Sequence, residues 1–239
     1  MLFRSIRLTA SDGGSFAAYL ALPARLPAPA VVVLPEIFNA NPHIRSVADG
    51  WAADGFIALA PDVFWRQEAG CYLPYTDEGR TRARALQALL DTDQYARDLA
   101  DIVAALRARP DCTGKVAITG FCFGGGVANT VAVRLGADLA AAAPYYGAPP
   151  MAADVPKIKA AMLIHHGALD TRLAATWPDY DKQLTAAGVP HEGHLWPNSV
   201  HGFNNDATPE RYNKATAEEA WNLTIGWFNK YARPAAGTA

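Results

Sequence analysis

The 239-residue chain is 51% hydrophobic and only 18% charged, which supplies apolar side chains for one large core and excludes a disordered chain. A formal net charge of −2 offers no basic field for a phosphate backbone, so nucleic acid is excluded as a partner. No apolar run reaches the roughly 18 residues of a membrane span and MLFRSIRLTA lacks a signal-peptide core, so a cytoplasmic protein without a membrane partner is expected.

In chain order, Leu2 to Leu8 alternates, SDGG turns, and SFAAYLAL follows, which predicts an antiparallel hairpin. AVVVL, FIALAP (Phe56 to Pro61), KVAITG (Lys115 to Gly120), LAAAAPYYG (ending at Gly147) and AAMLIHHG (Ala160 to Gly167) are short, wholly apolar runs of strands buried on both faces. EGHLWP (Glu192 to Pro197) is a weaker strand of the same series. Between them, Tyr95, Leu99, Ile102 and Leu106 make one helical stripe opened by Thr92 and stopped at Pro110. The last helix carries a candidate capping box, Thr216 with Glu219, and Trp221, Ile225 and Phe228 on one face. Strands alternating with helices predict an α/β fold: a mostly parallel central sheet with an N-terminal antiparallel hairpin and helices on both faces. No repeat or linker divides the chain, so residues 1–239 are expected to form one domain, with 232–239 a frayed tail.

Cys71, Cys112 and Cys122 are odd in number and widely spaced, without CxxC. That argues against a disulfide framework or a zinc site and for a reducing compartment. His191 and His194 in HEGH lack the spacing of HExxH and are read as structural.

One cysteine is placed differently. TGFCFGGG joins the strand KVAIT to a helix, so G-x-C-x-G-G has the form of a nucleophile elbow. In so tight a turn Gly120 and Gly124 must lack side chains, and Cys122 is lifted over a helix N-terminus. There the macrodipole and backbone N–H groups favour a thiolate or an oxyanion. The plain competitor is a small buried cysteine beside a glycine-rich turn, so partners decide. A cysteine nucleophile needs a base within reach and an acid to orient that base. Asp170 just past MLIHHGAL and His201 in LWPNSVHGF supply them at two later strand ends, in the order nucleophile, acid, histidine. Alone, Asp170 reads as a turn residue and His201 as a surface-loop histidine; together, in that order, they read as a triad. His165 and His166 end a strand and are expected to pack or hydrogen-bond locally.

With these residues in view, the chain resembles the dienelactone hydrolase family of α/β-hydrolases over nearly its whole length, from PEIFN through GFCFGG and GALD to VHGF. The resemblance implies an α/β-hydrolase fold, no cofactor or metal, and a small lactone or ester substrate, with or without a carboxylate. It implies Cys122 as nucleophile, His201 as base, Asp170 as the residue orienting it, and the backbone N–H groups of Ile37 and Phe123 as the oxyanion hole. Glu36, after the first buried strand, reads either as a solvated carboxylate or as a modulator. A carboxylate near the sulfur disfavours the thiolate and protects it from oxidation; the resemblance implies the second role.

The substrate residues depart from the family pattern. Arg82 in DEGRTRARALQALL matches one carboxylate-binding arginine, but Asn205 stands where a second is expected and offers no charged fork. Leu86 and Leu89 replace two aromatic residues, giving a greasier wall, and Gly202 replaces the serine after the histidine. Losing a charge-assisted contact is worth about 1.5–3 kcal/mol. Arg66 or Arg84 could restore it by swinging in, or the substrate carries no carboxylate there. Tyr145, Trp65 and Trp196 are candidate pocket aromatics, or plain core. The expected activity is hydrolysis of an enol lactone or activated ester. The alternatives are a broader small-ester carboxylesterase, a catalytically silent thiol sensor or binding module, and a thiol oxidoreductase using Cys71.

Overall fold

The computed structural model describes residues 2–233, with side chains from Arg4 onward. Its residues cluster into two compact units, the first running to Val116 with Arg233 added, the second Ala117–Ala232.

The first unit opens with β1 (Leu2–Thr9) and β2 (Ser15–Leu22), paired antiparallel from Leu2↔Leu22 to Thr9↔Ser15. β3 (Ala28–Leu34), helix α1 (Pro42–Ala53) and β4 (Ile57–Pro61) follow. The strand order is β1-β2-β4-β3, with β3 and β4 parallel and β2 antiparallel to β4. Every residue of β3 and β4 is buried, as an apolar run without alternation requires. α2 (Trp65–Glu68), α3 (Asp77–Ala88) and α4 (Thr92–Arg107) complete it. The α4 stripe is buried at Tyr95, Leu99, Ile102 and Leu106 as expected, and the helix stops before Pro110. Its cap is Asp91 rather than Thr92: the Asp91 carboxylate accepts from the Gln94 N–H at 2.9 Å, leaving Thr92 as the first helical residue.

The second unit takes over within β5 (Cys112–Phe121) and continues with α5 (Phe123–Leu135), β6 (Ala141–Tyr145) and β7 (Ala161–Gly167). Then come α6 (Thr171–Ala174), α7 (Trp177–Ala186), β8 (His191–Trp196) and α8 (Lys214–Ala232). Here the strand order is β5-β6-β7-β8, each neighbouring pair being parallel. The mostly parallel sheet with an antiparallel N-terminal hairpin is therefore observed, and the weak candidate EGHLWP is a true strand.

α8 begins two residues before Thr216. Asn213 accepts the Thr216 N–H, while the Thr216 hydroxyl is buried and accepts from Ser199, so the proposed capping box is replaced by an asparagine cap. The buried stripe is Ala217, Ala220, Thr224, Trp227 and Phe228, with Trp221 and Ile225 half-buried. Ala232, placed in the frayed tail by the sequence reading, is a buried helix residue; residues 234–239 of that tail lie outside the described residues.

Candidate active site

The turn between β5 and α5 sets Cys122 at φ 56° and ψ −114°, in a region that side-chain-bearing residues rarely occupy. Such strain persists only where the surroundings over-determine it. They do so here through three glycines. A Cβ on Gly120 would lie 2.1 Å from the Gly124 carbonyl oxygen, one on Gly125 2.4 Å from the Tyr145 oxygen, and one on Gly147 2.1 Å from the Gly125 carbonyl carbon. The sequence reading anticipates Gly120; Gly125 and Gly147 matter because β6 passes so close beneath the helix. The Cys122 N–H donates to the Tyr145 carbonyl at 3.1 Å, and the Gly126 N–H donates to the Cys122 carbonyl at 3.1 Å. The half-buried cysteine thus sits at the N-terminus of a 13-residue helix, where the dipole favours negative charge.

Asp170 ends the turn after β7, and His201 lies in the loop after β8. Nδ1 of His201 and Oδ2 of Asp170 are 2.7 Å apart. An ionised carboxylate only accepts, so Nδ1 carries the proton and Nε2 is left to accept one. Gly167 makes this approach possible: a Cβ there would lie 2.4 Å from the Ser199 oxygen, in the loop that leads to His201. The Asp170 N–H donates to Gly167 and the Leu169 N–H to Ser199, both at 3.0 Å, which locks the two loops together.

The link from the histidine back to the elbow is aromatic. The Tyr146 ring lies 4.9 Å from the His201 ring, 5.4 Å from Phe203 and 6.3 Å from Phe121, the residue preceding Cys122. Tyr146 is buried, and its φ is +38°.

The neighbouring histidines are internal, as expected. His165 Nδ1 accepts from the Trp196 indole at 3.2 Å, so its Nε2 carries the proton and donates to Thr224 at 3.1 Å. Burial holds His165 well below the ordinary histidine value. Burial also lowers His166 to about 4, against the opposing pull of the Asp170 carboxylate. His191 is held by the Val189 carbonyl and Asp181.

The remaining candidates divide. Glu36 is 4% exposed, so it is not the solvated carboxylate of the plain reading; Ile37 follows it in the same turn. Arg82 is exposed, ion-paired with Glu68, and lines an open cavity of about 840 Å³ with Leu73, Thr76 and Ala85. Arg66 cannot swing: two of its nitrogens hold the buried Asp98 at 2.8 and 2.7 Å and a third holds Asp12. Leu86 is buried within the first unit while Leu89 is 70% exposed, so Leu89 does not form a greasy wall. Tyr145 is core: its hydroxyl reaches the Ala220 carbonyl at 3.0 Å and Thr224 at 2.7 Å. Asn205 is fully buried and its Oδ1 accepts from the Ala207 N–H, which is a turn-forming role. Trp196 and Trp65 are likewise tied, to His165 and Asp98.

The profile of the Dienelactone hydrolase family matches residues 16–232, across the hairpin's second strand, the elbow, both later loops and the last helix. The chain belongs to the dienelactone hydrolase family. A carboxymethylenebutenolidase of a Pseudomonas species is 40% identical over 136 residues, 56% of this chain and 57% of that relative. The carboxymethylenebutenolidase of Pseudomonas putida is 32% identical over 206 residues, 85% of this chain and 86% of the relative. Among solved structures, a dienelactone hydrolase-like promiscuous phosphotriesterase from metagenomic libraries superposes with a TM-score of 0.80 at 25% identity, over 97% of this chain and 99% of the other. The fold is the α/β-hydrolase fold and the protein is a hydrolase of this family. Among the described residues, no helix is long and apolar enough to cross a membrane.

Proposed function

We propose that the protein hydrolyses an enol lactone or a similarly activated small ester, with Cys122 as nucleophile, His201 as base and Asp170 as its orienting acid. The observation that carries this reading is the strained backbone of Cys122 at the head of α5, a conformation that serves to present one side chain. The 2.7 Å contact between Asp170 and His201 supports it by leaving the far imidazole nitrogen as a base.

In the proposed sequence Glu36 moves aside as substrate binds and receives the Cys122 proton, and the sulfur, paired with His201, attacks the lactone carbonyl. The C–S bond forms while the carbonyl electrons move to oxygen, which the N–H groups of Ile37 and Phe123 receive. Collapse breaks the ring C–O bond and releases an enolate, which takes up a proton. Water, deprotonated by His201, then cleaves the thioester and restores the thiol, so one water is consumed per ring opened. Thiolate attack suits a leaving group as good as an enolate better than an alkoxide or amine. Glu36 in this reading keeps the resting sulfur neutral. Glu36→Gln should therefore lower turnover and raise the rate of Cys122 oxidation by peroxide, measured by mass spectrometry; unchanged rates of both would remove Glu36 from the mechanism.

One observation favours an uncharged substrate. Arg82 is already paired with Glu68, and Asn205 is buried in its own turn, so neither of the two positions matched to the carboxylate-binding arginines offers an unpaired fork. Offering the purified enzyme a carboxylated dienelactone, its neutral ester and nitrophenyl acetate, beside Cys122→Ala, tests both points. Preference for the neutral compounds supports the esterase-like specificity, and preference for the carboxylated lactone restores Arg82 as a clamp. Full activity in Cys122→Ala refutes the cysteine mechanism. The single 1–239 domain and the cytoplasmic location belong to the same reading, supported by a family match that spans both compact units.

A further inference from the structure

Tyr146 is a bulky aromatic residue held at φ +38°, one of four non-glycine residues with positive φ among the described residues. A bulky side chain there is a genuine outlier, which persists only where the surroundings over-determine it. The strain is held from both sides. The Tyr146 N–H donates to the His165 carbonyl at 2.7 Å, and Gly147 after it is pressed against Gly125 of α5. The result is a ring set among Phe121, Tyr145 and Phe203, with the His201 imidazole beside it.

That neighbour is the group that becomes positive when, as the proposed base, it takes a proton from the water that cleaves the thioester. At 4.9 Å between centroids, the imidazole lies within the ~6 Å over which an aromatic ring attracts a cation. Other charged or titratable groups around it are Asp170 at Nδ1, the buried neutral His166 on β7, and Arg211, whose guanidinium lies over Gly202. Asp170 holds the imidazole through Nδ1, at the edge of the ring. The Tyr146 ring adds a second contact on the imidazole, at a tilt of 56°.

We propose that Tyr146 is a positioning residue for His201: its ring, forced forward by the strained backbone, fixes the imidazole and favours its protonated form. This rests on the reading of His201 as the base, yet it can be measured without turnover. The NMR titration of the His201 ring, recorded in the wild-type background and in Cys122→Ala, reads it directly. Tyr146→Phe keeps the ring and should titrate like the wild type. Tyr146→Leu should titrate about half a pH unit lower, with kcat/KM near neutrality roughly two- to fivefold down. If Tyr146→Leu does not fold, phenylalanines bearing increasing numbers of fluorines at position 146 keep the shape while draining the ring's negative face. His201 should then titrate progressively lower along the series. A His201 titration that is the same in Tyr146→Leu and Tyr146→Phe, or flat across the fluorinated series, overturns the proposal. If the titrations move as expected while Cys122→Ala still opens the lactone, the cysteine mechanism fails and the role of Tyr146 stands.

Discussion

At the scale of single residues, the contact between Asp170 and His201 makes a sharp demand on chemistry. The carboxylate accepts the Nδ1 proton and thereby holds the imidazole in the one tautomer that suits the proposed base. Asp170→Asn preserves the shape but offers an amide that can donate to Nδ1 and stabilise the wrong tautomer. Turnover should fall by roughly 10²–10⁴-fold, with little change in KM, in steady-state kinetics on the best of the three test substrates. A loss below threefold would mean that the pair is structural. Tyr145 and Tyr146 show how one position changes everything on a strand end. Side chains alternate between faces, so Tyr145 is buried against α8 through Thr224 while Tyr146 turns to the histidine. The sequence reading chose the first of the pair, because a backbone reversal at +38° leaves no mark in a run of two tyrosines.

At the scale of elements, the site depends on backbones that nearly touch. β7 and β8 end in loops that meet at Gly167 and Ser199, and the meeting places Asp170 beside His201. Gly167→Ala would put a methyl group 2.4 Å from the Ser199 oxygen, so one loop must move. We expect a destabilisation of about 1–3 kcal/mol by urea titration and a loss of activity larger than the fraction unfolded explains. Activity that tracks the folded fraction would show that the loops can part without disturbing the pair. The strands were readable because those buried on both faces are uninterrupted apolar runs, and β3, β4, β6 and β7 are fully buried. The helix starts were less so. Thr92 and Thr216 have good capping chemistry, but Asp91 and Asn213 lie just upstream and bind the first-turn N–H groups themselves. All three residue types are favoured caps, and only the geometry of the turn separates these four positions.

At the scale of the whole molecule, buried histidines tie stability to acidity. His166 titrates at about 4 in the folded chain against 6.5 when exposed, and its buried Nδ1 makes no hydrogen bond. Because the folded value is depressed, the unfolded chain binds the proton first as pH falls. Stability should be complete above about pH 6.5 and decline between there and about 4, by something near 3 kcal/mol from this residue. His165 adds to the same trend, since burial lowers it further. Thermal melts of the wild type and His166→Leu from pH 7 to 4 check this: the variant should lose less on acidification, and parallel curves would count against it. The order of Cys122, Asp170 and His201 could be read from the chain because a parallel sheet sends its loops to one rim, strand by strand. What could not be read were the selectivity residues, since Leu89, Asn205 and Tyr145 owe their places to local packing that no spacing rule encodes. The proposed nucleophile, acid and base all fall within Ala117–Ala232, while Glu36, Ile37 and Arg82 precede Val116. Heredity can therefore deal with them separately. A recombination joint in the middle of β5 would keep the proposed nucleophile, acid and base from one parent and bring Glu36, Ile37 and Arg82 from the other.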